Sequence, residues 1–148
     1  RYGAELQLNW KILPSLSTEL KGEYLYAEQL SGAKKGYTLP FSTPWSADAT
    51  IKYDFCREKM GNEGFVAFNL HVTGRQNNIV PPEKQTPGYY TLNLNAGKNF
   101  KLGNKKLRIN LNAENLLNRK YYDHTSFYRL IDVPEPGRNV ALMVGLDF

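Results

Sequence analysis

The sequence predicts an all-β chain, a segment of about seven antiparallel strands belonging to a larger transmembrane β-barrel. Three observations carry this reading. Apolar and polar residues alternate with a period of two in seven successive runs. The connections between runs alternate between short and long. Aromatic residues gather at the two ends of the runs and leave aliphatic residues between them.

The first run places Tyr2, Ala4, Leu6, Leu8 and Trp10 on one face and Glu5, Gln7 and Asn9 on the other. A short turn, Ile12-Leu13-Pro14-Ser15, leads to a second run with Leu16, Leu20, Tyr24 and Tyr26 opposite Ser17, Glu19, Lys21 and Glu23. Thr18 and Gly22 dilute that apolar face. A long connection rich in Gly, Lys and Pro follows, containing Gly32, Lys34, Lys35, Gly36, Pro40 and Pro44. The third run sets Trp45, Ala47, Ala49, Ile51, Tyr53 and Phe55 against Ser46, Asp48, Thr50, Lys52 and Asp54, and a polar turn from Cys56 to Gly64 ends it.

Val66, Phe68, Leu70 and Val72 form the apolar face of the fourth run, opposite Ala67, Asn69, His71, Thr73 and Arg75. A Pro-rich loop from Asn77 to Gly88 precedes the fifth, in which Tyr90, Leu92, Leu94 and Ala96 oppose Thr91, Asn93, Asn95 and Gly97. Leu102-Gly103-Asn104 predicts a tight hairpin. The sixth run is the most regular, with Leu107, Ile109, Leu111 and Ala113 against Arg108, Asn110, Asn112 and Glu114. The longest loop, Leu117 to Gly137, leads to a last run carrying Val140, Leu142, Val144, Leu146 and Phe148 on one face.

Composition limits the alternatives. Forty-one per cent hydrophobic and 13% aromatic residues are too many for a disordered chain. The net charge of +5 and pI of about 9.3 raise the question of nucleic acid. The basic residues, however, form no run or helical stripe, so no nucleic-acid partner is expected. Cys56 is the only cysteine, which rules out an internal disulfide and a cysteine-based metal cluster. No apolar stretch approaches the ~20 residues of a membrane helix, and the mean hydropathy of -0.52 is compatible with barrel strands, whose two faces average out as polar. The chain opens at Arg1 directly on a strand pattern, as a segment of something longer would.

Alternation alone also fits a soluble β-sandwich, or a β-rich binding module of that kind. Loop lengths and aromatics separate the two. Short turns after odd runs and long loops after even ones match periplasmic turns and extracellular loops, with the first strand running inward from the outer surface. In that orientation Tyr2, Tyr24, Tyr26, Trp45 and Tyr90 fall at the outer interface, and Trp10, Tyr53, Phe55, Phe100 and Phe148 at the periplasmic one. Runs of about ten residues, at ~3.3 Å each and tilted by ~45°, span the ~25 Å apolar band of a barrel. The opposite face carries charges and amides, which a wet lumen accepts and a dry sandwich core does not. Seven strands do not close a barrel, so further strands are expected to flank these.

Ala113-Glu-Asn-Leu-Leu-Asn118, Lys120-Tyr121-Tyr122, Pro136-Gly137-Arg138 and the terminal Phe148 occur in that order. Over about Pro40 to Phe148 this resembles the C-terminal region of TonB-dependent outer-membrane receptors, with Arg119 standing where that family often has Lys. The resemblance implies that residues 1–148 are the last seven strands of a barrel of about 22, multi-pass in the outer membrane, with the plug domain and earlier strands outside this chain. It also implies import of a scarce, bulky nutrient of the ferric siderophore, cobalamin or haem class, energised by TonB through the plug. The terminal aromatic resembles the signal read by the barrel-insertion machinery. The implied partners are the rest of the barrel and its plug, TonB, the nutrient, membrane lipid and lipopolysaccharide.

Candidate ligand contacts lie in the longest loop and on the lumen face. Tyr121, Tyr122, His124, Phe127, Tyr128 and Arg129 combine flat aromatic surface with a cation, which suits an aromatic anion such as a catecholate siderophore. The plainer reading of this cluster is a packed lid or a contact with lipopolysaccharide phosphates. His71 is expected on the lumen wall, as a hydrogen-bonded wall residue or a contact to haem iron or the plug. Lys34, Lys35 and Lys84 are expected to face lipopolysaccharide or water. Glu19, Glu23, Asp48, Asp54 and Glu114 are expected to pair with Lys21, Lys52, Arg75 and Arg108. No phosphate loop, nucleophile elbow or metal-ligand spacing is present in the sequence, so neither enzymic chemistry nor a cofactor is expected. Two further readings remain for the barrel, a passive porin and a structural barrel within an envelope assembly.

Overall fold

In the computed structural model, which describes residues 1–55 and 62–147, seven strands form one antiparallel sheet in strict sequence order. They are β1 (Tyr2–Leu13), β2 (Leu16–Tyr26), β3 (Ser46–Phe55), β4 (Gly64–Thr73), β5 (Tyr89–Leu102), β6 (Lys105–Glu114) and β7 (Asn139–Asp147). Each runs 9 to 14 residues, well beyond the five or six of an ordinary soluble strand. The expectation of an all-β segment of an unclosed barrel is met. β1 and β7 are the two edges, and among the described residues no second sheet packs on either face.

Connection lengths follow the expected alternation. Two residues follow β1, eight follow β3 and two follow β5, against nineteen after β2, fifteen after β4 and twenty-four after β6. Gly103 takes a positive φ of 64° in the two-residue β5–β6 hairpin, a conformation that Gly adopts at no steric cost. Cys56, most of the turn after β3, and Phe148 lie outside the described residues.

The pairing register places the expected apolar residues of the paired strands on one face. One continuous row runs Trp10, Thr18, Ile51, Phe68, Leu94, Ala113 and Val140 across all seven strands. These side chains do not bury one another. Trp10 is 67% exposed, Phe68 48% and Val140 58%, as expected for a face whose solvent is hydrocarbon. The buried apolar side chains are few and include Ala27, Val80 and Tyr89, which sit at the outer end of the sheet and in its loops.

Strand limits differ from expectation in four places. β3 opens at Ser46, one residue after Trp45, and β4 ends at Thr73, short of Arg75. β1 continues through Leu13, with an irregularity in its pairing with β2 between Lys11 and Leu13. β5 continues through Lys98, Asn99, Phe100 and Lys101 to Leu102, although Lys98 breaks the apolar alternation. Its ammonium lies 5.2 Å from the Phe100 ring centre and 5.7 Å from that of Phe55. A lysine at the end of a lipid-facing strand can thus keep its stem in the apolar band and its charge at the interface.

Candidate functional site

On the apolar face Tyr2, Tyr24, Tyr26 and Tyr90 lie toward one end of their strands and Trp10, Tyr53, Phe55 and Phe100 toward the other, and the register shows that these two aromatic belts run obliquely across the sheet. Tyr53 lies two residues beyond Ile51 and Phe100 six beyond Leu94, both in the row of Trp10. At the other end Tyr90 shares a row with Leu6, four residues along β1 from Tyr2. The belts therefore shift by about one to one and a half residues per strand. At ~3.3 Å per residue and ~4.8 Å between strands this corresponds to strands inclined ~35–45° to the belts, the tilt of a membrane barrel. Tyr2 stacks on Tyr26 at 5.0 Å, and Trp45 lies over Gly74, where a Cβ would collide with its indole ring. Phe55 lies over Gly64 in the same manner. Glycine makes room for each ring to lie flat along the sheet.

The opposite face is a hydrogen-bonded polar wall. His71 Nδ1 lies 3.1 Å from Asp48 Oδ1 and its Nε2 lies 2.9 Å from Thr73 Oγ1. Asn69 donates to Asp48 and Thr50, and Asn93 donates to Asn69. Of the expected ion pairs, Lys21–Glu19 and Lys52–Asp54 form. The other partners differ: Arg108 pairs with Asp147 on β7, Arg75 donates to Gln85, Glu23 accepts from Ser46, and Glu114 accepts from Asn112. Charge is graded along this wall. Glu5, Glu23, Asp48 and Glu114 lie toward the outer ends of their strands, whereas toward the periplasmic ends Lys11, Lys52, Lys101, Lys106 and Arg108 outnumber the carboxylates Asp54 and Asp147.

Above the wall, the three long connections lock together. Glu83, in residues 74–88, is the hub. It accepts from the Phe41 amide at 3.0 Å and from Arg129 Nη2 at 2.7 Å, and both its side chain and that of Arg129 are almost fully buried. Arg129 also donates from Nε to the His124 carbonyl at 2.6 Å and lies 5.0 Å from the Phe41 ring centre. His124 is 1% exposed, with Nδ1 2.9 Å from Thr86 Oγ1. Phe41 packs against Phe127 at 4.9 Å.

Electrostatics follow from these contacts. Burial by itself would raise the Glu83 carboxyl. The Phe41 amide, the Arg129 guanidinium and the Val80 amide outweigh it and hold the group below the usual carboxylate range. His124 is held below its usual value by burial and by the charge of Arg129. Asp123 is pushed up by burial, but hydrogen bonds from Thr125 and Tyr89 bring it below the ordinary range. The Tyr121 hydroxyl is raised by burial and by the charges of Glu135, Asp123 and Glu114.

The candidate residues therefore divide. Tyr121 stacks on Tyr89 at 4.2 Å, and the Tyr89 ring lies 6.0 Å from that of His71, so loop and wall meet in one aromatic ladder. This ladder borders a cavity of about 340 Å³ lined also by Asp48, Thr91, Asn93 and Glu114. Phe127 and Tyr128 are largely exposed, and Tyr122 is half-buried beside Lys120. His124 and Arg129 instead point into the loop packing. Tyr89 and Glu83 went unnoticed in the sequence. Tyr89 sits in an ordinary strand opening, and Glu83 has no local partner for its charge. Among the described residues, no group of three or more His, Cys, Asp or Glu is placed to hold a metal ion.

The Asn115-Leu-Leu-Asn118 run acquires a physical meaning here. Asn115 and Asn118 take positive φ values of 48° and 50°, which Asn tolerates better than most residues. Asn115 Nδ2 donates to the carbonyls of Arg119 and Pro136, and its Oδ1 accepts from the Arg119 amide. Asn118 Oδ1 accepts from the Arg138 amide, close against Gly137. The exit of β6 and the approach to β7 are thus clasped to each other.

Comparison with known proteins agrees with this architecture. Residues 1–116 match the family model described as "TonB dependent receptor-like, beta-barrel". Among solved structures, a copper transporter named OprC is similar at a TM-score of 0.76 and 21% identity, over 96% of this chain. This chain spans only 22% of that one. The oblique aromatic belts, the polar wall and the family match over β1 to β6 lead to one conclusion: the chain belongs to the TonB-dependent receptor β-barrel family.

Proposed function

We propose that this chain forms part of the wall, and three of the outer loops, of an outer-membrane receptor that imports a scarce, bulky nutrient with energy supplied through TonB. The observation that carries the reading is the sidedness of the sheet. An apolar face bounded by two tilted aromatic belts lies opposite a charged, hydrogen-bonded wall roofed by interlocked loops. The remaining barrel strands would pair the edges of β1 and β7, since hydrocarbon cannot satisfy open backbone groups. A plug inside the barrel would transmit the pull of TonB. This segment would perform no covalent chemistry.

The nutrient belongs to the ferric siderophore, cobalamin or haem class. Within that range a neutral or cationic chelate is favoured over a catecholate anion. The Arg129 guanidinium is neutralised by Glu83 and turned away from solvent, and the outer half of the wall is acidic. Tyr121, Phe127 and Tyr128 supply flat surface, and His71 stands on the wall below them. The OprC name points to copper for that protein. The described residues of this chain hold no cluster suited to a bare ion, which favours a chelate carried whole.

Uptake of labelled ferric siderophores, cobalamin and haem by cells carrying the intact receptor, with and without TonB, tests the proposal. Saturable uptake that disappears without TonB is expected. Flux that is linear in concentration and indifferent to TonB would mean a passive pore. No uptake, together with stable capture of other envelope proteins, would mean a structural barrel.

A further inference from the structure

We infer that the cavity on the polar wall beside Tyr121 receives a primary ammonium group of the imported molecule. The inference rests on the import reading above and narrows the substrate to chelates that carry such a group. The cavity holds about 340 Å³, and among the described residues no Lys or Arg lines it. Its carboxylates are Asp48 and Glu114, and His71 turns Nδ1 toward Asp48 at 3.1 Å. The stacked rings of Tyr89 and Tyr121 border it. Lys21, opposite Asp48 in the pairing of β2 with β3, pairs with Glu19 instead at 3.0 Å. A space of this size takes a side arm of a bulky chelate and leaves the metal and its ligand atoms outside.

Hydrogen-bond accounting gives the space its preference. Asn69 spends both amide hydrogens on Asp48 and Thr50, and Asn115 spends both on the carbonyls of Arg119 and Pro136. Asn93 gives one to Asn69, and the Tyr89 hydroxyl donates to Asp123. An anion would find few donors left. Glu114, by contrast, is exposed, and among the described residues it accepts from a neutral amide, that of Asn112 at 3.2 Å, and forms no ion pair. The Tyr121 hydroxyl registers the resulting field, since it is raised by burial and then by the charges of Glu135, Asp123 and Glu114. An ammonium answers these features together. It is a compact cation with three donors for carboxylate oxygens, and the face of a tyrosine ring attracts it.

The test titrates the intact receptor with metal chelates on hydroxamate, catecholate, porphyrin and corrin scaffolds. Each is made with a free terminal ammonium and as its N-acetyl counterpart, and the proteins are wild type, Glu114→Gln and Tyr121→Leu. In at least one pair the wild type is expected to bind the ammonium form about tenfold or more tighter, the worth of one hydrogen bond to a charged group. Glu114→Gln keeps an acceptor for Asn112 and should remove most of that preference by weakening the ammonium form alone. Tyr121→Leu should reduce it several-fold. A structural defect weakens both forms alike, so the ratio within a pair separates recognition from folding, and the wild-type ratio stands even where a variant does not fold. Equal affinities in every pair that binds, binding of no chelate, or a Glu114→Gln loss shared by both forms overturns the site. A basic side chain of the plug already seated in the cavity would give the first of these results. Uptake by cells with and without TonB distinguishes this failure from that of the import reading. TonB-dependent uptake of chelates whose two forms bind equally sinks the site alone, whereas no TonB-dependent uptake of any chelate sinks the import reading and the site with it.

Discussion

Single residues here act chiefly by closing gaps between distant stretches of chain. Asn115 is 3% exposed and serves three hydrogen bonds at once while holding a positive φ. Asn115→Ala would leave two carbonyls and an amide poorly satisfied and keep the backbone strain, so a loss of about 2–4 kcal/mol is expected. Urea unfolding of the intact receptor, followed by gel mobility, measures this. Asn115→Gly should cost less than the alanine change if strain contributes, because Gly relieves it. The Glu83–Arg129 pair behaves differently. Removing one partner leaves a buried charge, an expected local cost of about 3–5 kcal/mol, whereas removing both is far milder. Glu83→Gln should therefore expose residues 74–88 and 115–138 to proteolysis, and Glu83→Gln/Arg129→Met should restore much of the protection. Equal nicking of the single and double variants would show that the pair does not hold the loops.

At the scale of elements, the strands were legible in the sequence and the loops were not, for a physical reason. A strand's two faces are set by a local period of two, so the residues that meet lipid and those that meet the lumen could be assigned without knowing their partners. The ends of strands were less clear. The alternation of the fifth run is traceable in the sequence only to Gly97, whereas the pairing with β6 carries Lys98, Asn99 and Lys101 as strand. The loop cluster was hidden because its parts lie far apart: Glu83 and Arg129 are 46 residues apart and Phe41 is 42 residues from Glu83. His124 and Arg129 offered the right chemistry for a ligand, and only the meeting of three connections turns them inward.

The closed arrangement of these loops should be sensitive to acid. His124 and Glu83 both titrate below their ordinary values when the loops are closed. Each therefore binds more protons in the open state, and closure weakens as pH falls. The contribution of His124 is complete above its ordinary value of 6.5 and is lost below it. That of Glu83 is complete above 4.5 and is lost further down. Limited proteolysis of the loops, with a protease active across this range, should show protection at pH 7, a first loss below about 6.5 and a second below about 4.5. Uniform protection from pH 7 to 4 would contradict the assignment.

For the whole molecule, everything depends on which solvent each face meets, and one pair of substitutions isolates that question. Leu111 and Asn112 are adjacent on β6 near mid-strand, share the same hydrogen-bonded ladder and point to opposite faces. Arginine has the same intrinsic effect on the strand at either position, so any difference between them reports the surroundings. At the centre of an apolar bilayer an outward Arg costs about 2–4 kcal/mol, whereas in an aqueous lumen it is nearly neutral. Asn112→Arg would also stand near Glu114, which already accepts a hydrogen bond from Asn112 and gives the new charge a partner. Leu111→Arg should thus lower the stability of the folded receptor in bilayers by a few kcal/mol, and Asn112→Arg should leave it close to wild type. In a soluble sheet with Leu111 open to water the first penalty would vanish. In a sandwich with Leu111 buried against a second sheet, stability would fall equally in the absence of any bilayer. The difference between the two variants in bilayers, and its decrease as Leu→Arg substitutions move along the apolar face from Leu111 toward the belt at Phe100, separates a membrane wall from both.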